Sequence, residues 1–122
     1  MPTSRWPIEF YEEQDGASPV RDFIDAFPKE KRAELLAIVD LLSDKGPTLQ
    51  FPFSSHVRGK VRELRTHYGR DHYRILYAAT GRRGFVLLHA VVKRSTSLAE
   101  RDIRLAKRRL HTWQSRQAIQ EE

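Results

Sequence analysis

Between Val61 and Arg94 the chain alternates short apolar runs with sharp breaks. VRELRTHY (61–68), DHYRILYAA (71–79) and GFVLLHAVVKR (84–94) are separated by Gly69-Arg70 and by Gly81-Arg82-Arg83-Gly84. Short runs of Val, Ile, Leu, Tyr and Phe with glycine at their borders are the pattern of strands joined by tight turns. Alternation assigns side chains to faces. Glu63, Arg65 and His67 share one face of the first run, and Arg62, Leu64 and Thr66 the other. His72, Arg74, Leu76 and Ala78 oppose Tyr73, Ile75, Tyr77 and Ala79 in the second. In the third, Phe85, Leu87, His89, Val91 and Lys93 are expected to oppose Val86, Leu88, Ala90, Val92 and Arg94. That run is apolar on both faces over its first half, so it reads as a central strand covered on both sides.

The preceding half reads differently. WPIEFY (6–11) is a short strand, with Ile8 and Phe10 on one face and Glu9 and Tyr11 on the other; Pro7 suits a strand start or a sheet edge. Ser18-Pro19 is a helix start, with serine as N-cap and proline at the first helical position. That helix runs to about Ala26 on the stripe Val20, Phe23, Ile24 and Phe27. After Pro28 a second helix, Lys29 to Asp44, carries Leu35, Ile38, Val39 and Leu42 at helical spacing and stops at Gly46-Pro47. Residues 47–60 have no clean period and read as a loop, with Phe51 and Phe53 expected in the core and His56, Arg58 and Lys60 outside it. After Ser95-Thr96-Ser97, a loop and cap, Leu98 to about Gln117 forms a last helix. Its apolar stripe is Ile103, Ala106, Leu110 and Trp113, and its other face carries Arg101, Arg104, Lys107, Arg108 and Arg109.

The expected fold class is therefore α+β. A small, mainly antiparallel four-stranded sheet carries an N-terminal helical hairpin and a C-terminal helix, in the order β-α-α-β-β-β-α. Its 122 residues make one domain, long enough for a proper core, with a frayed tail beyond about Ser115.

Composition narrows the function. The absence of cysteine excludes a disulfide framework and a thiolate zinc site. No run approaches the roughly 18 apolar residues of a membrane span, and the N-terminus lacks the apolar core of a signal peptide, so a cytoplasmic location is expected. Charge is lopsided: residues 1–55 carry 6 Lys/Arg against 10 Asp/Glu, whereas 56–116 carry 16 against 4. A basic half of that strength is the footprint of a polyanionic partner, usually nucleic acid.

Catalytic signatures are few. There is no glycine-rich phosphate loop and no nucleophile elbow, and the five histidines are scattered without zinc-type spacing, so neither metal nor cofactor is expected. Arginine and lysine spliced into strands remain. Such a surface can bind a phosphate backbone and can stabilise the charge that builds as a phosphodiester is cleaved. RNA supplies its own nucleophile, the 2′-hydroxyl, so positioning, charge neutralisation and one base suffice, and DNA is rejected.

Several pieces together, IEFY (8–11), SPVRDFID (18–25), ELR (63–65), YR (73–74) and LLHAVVKR (87–94), resemble the RelE/ParE toxin superfamily, and most closely its HigB-like, phage-derived branch. The likeness extends from residue 8 to about 113. It implies the toxin of a type II toxin–antitoxin system: a metal-independent, ribosome-dependent mRNA endonuclease held inactive by a cognate antitoxin, which often carries a helix-turn-helix domain. Position by position it marks Arg65, Arg74 and the pair Lys93-Arg94 as catalytic. The best-known branch has two lysines where this chain has Val61 and Glu63, and a tyrosine where it has Leu98, Ala99 and Glu100. A substitute base is needed, with His67 ahead of His89, Lys60 and Lys93. Lys60, Arg62, Tyr73, Arg104 and Arg108 are expected to contact RNA. Two other readings stay open: a ParE-like toxin that blocks a protein such as gyrase, and an RNA-binding protein without chemistry.

Overall fold

A computed structural model describes residues 5–95 and 97–120; Thr96 of the expected cap and Glu121-Glu122 of the tail lie outside the described residues. The elements are β1 (Ile8–Phe10), α1 (Pro19–Asp25), α2 (Lys29–Lys45), a short 3₁₀ turn (Gly46–Thr48), β2 (Ser54–Arg58), β3 (Val61–Tyr68), β4 (Asp71–Ala79), β5 (Phe85–Lys93) and α3 (Glu100–Gln120). The fold is α+β, as expected, but the sheet has five strands in the order β1-β5-β4-β3-β2. Only β1 runs parallel to its neighbour β5; all other pairs are antiparallel. The additional strand, β2, lies in the segment expected to be loop. Its sequence, SSHVR, has almost no apolar content, and pairing with β3 through a two-residue turn is what makes it a strand.

Two cores sandwich the sheet. The hairpin α1–α2 sets Val20, Ile24, Leu35, Ile38 and Leu42 against Leu64, Tyr73, Ile75, Tyr77 and Leu87. On the opposite face Ala106 and Leu110 of α3 cover Val61, Leu76, Ala78, Val86 and Leu88. Full burial of each such aliphatic side chain contributes about 1.5–3 kcal/mol. The end of α2 is pinned under Trp6: Gly46 has φ +56°, and a Cβ there would lie 2.2 Å from the indole nitrogen, so only glycine fits.

Two expectations for this frame are corrected. The alternation in β5 breaks, because the β4–β5 register pairs Tyr77 with Leu87 and Leu76 with His89, leaving Leu88 as an extra residue. Phe85 and Leu87 therefore face the hairpin, while Leu88, His89, Val91 and Lys93 face the α3 side. Nor does α3 fray beyond Ser115. It continues to Gln120 because its last turns are tied to the β1 segment: Trp113 Nε1–H donates to Glu9 (2.6 Å), Arg116 donates to the carbonyl of Glu12 (2.6 Å), and the Arg116 guanidinium lies 5.2 Å from the Tyr11 ring.

Candidate functional site

The helix α3 spans the sheet from Arg58 of β2, which pairs with Glu100 in its first turn, to Glu9 of β1. It covers only one half of its face, the half that holds Val61, Ala78, Val86 and Leu88. From the edge of that cover outward, cross-strand register lays the side chains of the face in rows. One row is Glu63, Leu76, His89; the next is Arg65, Arg74, Val91; the outermost is His67, His72, Lys93. Beside the free end of β3 a cleft of about 370 Å³ opens, lined by Arg65, Arg74, His67, His72, Pro52, Phe53, Glu34 and Thr66.

Arg74 forms the cleft floor. It is 2% exposed, and its Nε lies 3.1 Å from Glu63 Oε1. Burial lowers its pKa from the ordinary arginine value; Glu63 acts in the opposite sense and Arg65 adds to the lowering. Arginine nevertheless stays charged at physiological pH. Arg65, more exposed, lies 3.5 Å from Glu63 Oε2, which also accepts from the Ser55 hydroxyl (2.6 Å). One buried carboxylate thus holds two guanidiniums side by side. Glu34 also lines the cleft, so the two arginines are matched in number by Glu63 and Glu34, and what suits the site to a phosphate is the paired guanidinium donors. At its mouth the rings of His67 and His72 stand 6.3 Å apart.

Lys93 flanks this row, 3.7 Å from Asp102 Oδ2 of α3. Asp102 Oδ1 also meets His89 Nε2 at 2.9 Å, while Arg109 approaches His89 Nδ1 at 3.4 Å and donates to the Leu88 carbonyl at 2.9 Å. Since arginine can only donate, Nδ1 accepts and Nε2–H donates to Asp102. Both ring nitrogens of His89 are engaged by α3, so His89 fastens α3 to β5. Arg109, expected on the solvent face of α3, points inward for the same reason.

The structure brings together Arg65, Arg74 and His67, with Lys93 on the same face. The other residues expected at the site lie outside the cleft. Arg94 follows Lys93 onto the opposite face, where its Nε meets Asp71 at 2.9 Å and Asp71 also lies 4.0 Å from Lys31 of α2. Tyr73 is fully buried, edge-on to Phe27 at 5.4 Å, and burial raises its phenol pKa, with Asp71 and Tyr68 adding to the effect. A ring in that place cannot stack a base. Arg62 also faces the hairpin side, donating to Ser54 Oγ at 3.3 Å. Lys60 sits in the β2–β3 turn, at the end of β3 away from the cleft. Arg104 and Arg108 are exposed on α3 and line no part of the cleft.

His72, Glu34 and Phe53 were not expected at the site. His72 was within reach of sequence reasoning: a two-residue turn at Gly69-Arg70 pairs Tyr68 with Asp71, and hence His67 with His72. Phe53 was expected in the core and is 47% exposed; its neighbour Phe51 is 69% exposed. The turn that carries them lies alongside α2, with Phe53 beside Ala37, Ile38 and Leu41, and leaves both rings at the surface.

Among the described residues, no group of three or more His, Cys, Asp or Glu side chains is placed to hold a metal ion, and no helix is long and apolar enough to cross a membrane. No curated protein matches the chain. Residues 22–111 do match a family model, described as phage-derived protein Gp49-like (DUF891), and that family is associated with RelE-like toxins. The match runs from within α1 through the whole basic cleft and well into α3, far more than half of the sequence, and the chain therefore belongs to the phage-derived Gp49-like family.

Proposed function

We propose that this chain is the toxin of a type II toxin–antitoxin pair and cuts mRNA on the ribosome without a metal ion. The single observation that carries this reading is the convergence of Arg65, Arg74 and the His67–His72 pair in one open cleft. The guanidiniums bind the non-bridging oxygens of the scissile phosphate. His67 takes the proton of the 2′-hydroxyl, whose oxygen bonds to phosphorus; the bond to the 5′-oxygen breaks, and His72 returns a proton to that oxygen. The products are a 2′,3′-cyclic phosphate and a 5′-hydroxyl. Lys93, in register beside His72, adds positive charge as the phosphorane forms. A cognate antitoxin, with a helix-turn-helix domain in the pattern the family resemblance implies, holds the toxin inactive.

A second reading, RNA binding without chemistry, is favoured by one observation: Glu63 already engages both arginines. The two readings separate in cells. Primer extension on mRNA after brief induction is expected to show new cuts inside translated regions with the wild type, and none with Arg65→Ala or Arg74→Ala. Growth arrest with intact mRNA would overturn the nuclease and favour a protein target such as gyrase. Intact mRNA without arrest would leave RNA binding alone.

A further inference from the structure

The turn before β2 holds the largest exposed aromatic surface beside the cleft. Phe51 is 69% and Phe53 47% exposed. Leaving two phenylalanine rings in water forgoes the burial that normally stabilises them, and the turn that presents them is firmly fixed. Phe53 N–H donates to the Gln50 carbonyl at 3.0 Å, and the Phe53 carbonyl accepts from Arg65 N–H at 2.8 Å. The position of the Phe53 backbone is thus tied to the residue that would hold the phosphate. Its ring lines the cleft with Arg65 and Arg74 and also borders an adjoining hollow formed by Ala37, Ile38 and Leu41 of α2. The Arg65 guanidinium in turn lies 4.9 Å from the Phe51 ring.

We infer that Phe53, with Phe51 beside it, is a stacking platform for an unpaired nucleobase of single-stranded RNA, the base adjoining the phosphate held by Arg65 and Arg74. This rests on the nuclease reading and extends it to base selection. Aromatic rings alternating with guanidiniums match the alternation of bases and phosphates along a strand. Phe53 lies beside α2 and keeps about half of its surface exposed, which leaves room for a stacked base. The cleft, at about 370 Å³, falls within the range of roughly 300–1,000 Å³ found for small-ligand sites, enough for one nucleotide at a time.

The test uses the full chain and a short single-stranded RNA, 2′-O-methylated to prevent cutting, with 2-aminopurine placed at successive positions. Stacking of that base on an aromatic ring quenches its fluorescence. Wild type and Phe53→Tyr are expected to quench at one position. Phe53→Leu, which keeps apolar bulk but has no ring face, and Phe53→Ala are expected to lose the quench and bind about ten-fold more weakly. Both positions are exposed, so the variants fold; circular dichroism checks this. If Phe53→Leu quenches and binds like the wild type while the wild type still cuts mRNA, the platform is overturned and the nuclease reading stands. If the wild type binds no RNA and cuts none, both fall together. If RNA binding is unchanged but Phe53→Ala releases a co-purified protein, the patch is a protein-docking site and the platform is overturned.

Discussion

One face of this sheet is two surfaces. Under α3, strands β3 to β5 present Val61, Leu76, Ala78, Val86 and Leu88, sealed by Ala106 and Leu110. A few residues further along the same strands they present Arg65, Arg74, His67, His72 and Lys93, beyond the apolar stripe of α3, with Lys93 meeting the helix through Asp102. The strand geometry is the same in both halves. What differs is the extent of the cover, and side-chain chemistry follows it: where a helix excludes water the positions are apolar, and where it ends they are cationic. The row Glu63, Leu76, His89 forms the boundary. Glu63 gathers the arginines toward the open half, while Asp102 and Arg109 clamp His89 to α3. A basic cluster is tolerable in a strand because Arg65, His67 and His72 keep contact with water and the buried Arg74 is compensated by the buried Glu63.

This contrast can be broken most severely at the boundary. Arg74→Ala removes the cation that faces Glu63 inside the sheet; leaving a buried carboxylate without that partner is expected to cost about 3–5 kcal/mol in urea unfolding and to abolish cleavage as well. Leu88→Ala confines the damage to the covered half: a loss of about 2–5 kcal/mol in stability, with cleavage per folded molecule unchanged. Arg65→Ala does the reverse. Its side chain is partly exposed, so stability should shift by less than about 1 kcal/mol, while the cleavage rate on translated mRNA drops about 10²-fold. Asp102→Asn tests the clamp. Weakened contacts to His89 and Lys93 should cost about 1–3 kcal/mol of stability and reduce cleavage less than Arg65→Ala does. The smallest effect is expected at Arg108→Ala, on the solvent side of α3, which should lower RNA affinity slightly and reduce the salt slope of binding by about one. A cleavage loss there as large as that of Arg65→Ala would erase the distinction between cleft and surface.

Much of this was legible in the sequence, and the parts that were not share a cause. β3 and β4 are readable to the residue, since Gly69-Arg70 fixes their turn and alternation their faces. Both helices of the hairpin declare themselves through Ser18-Pro19, Pro28 and Gly46-Pro47. The family likeness read from short motifs agrees with the Gp49-like match at the level of a RelE-associated family. β2 was hidden because its residues have no apolar period; it exists through its partner. The bulge at Leu88 was hidden because an apolar run on both faces gives alternation nothing to register against. That one extra residue decides that Lys93 joins the cleft face and Arg94 leaves it. Phe51 and Phe53 were misplaced because the rule that aromatic residues are buried cannot distinguish a core from a binding surface.

The most direct test of the open half as a catalytic surface is the chemistry of the cut ends. mRNA from a translating extract is incubated with purified chain in the presence of a metal chelator that spares the ribosome's own magnesium, and its new termini are characterised. Attack by the 2′-hydroxyl between His67 and His72 predicts 2′,3′-cyclic phosphate and 5′-hydroxyl ends, absent with Arg65→Ala. Ends bearing 3′-hydroxyl and 5′-phosphate, or translational arrest with uncut message, would contradict the account.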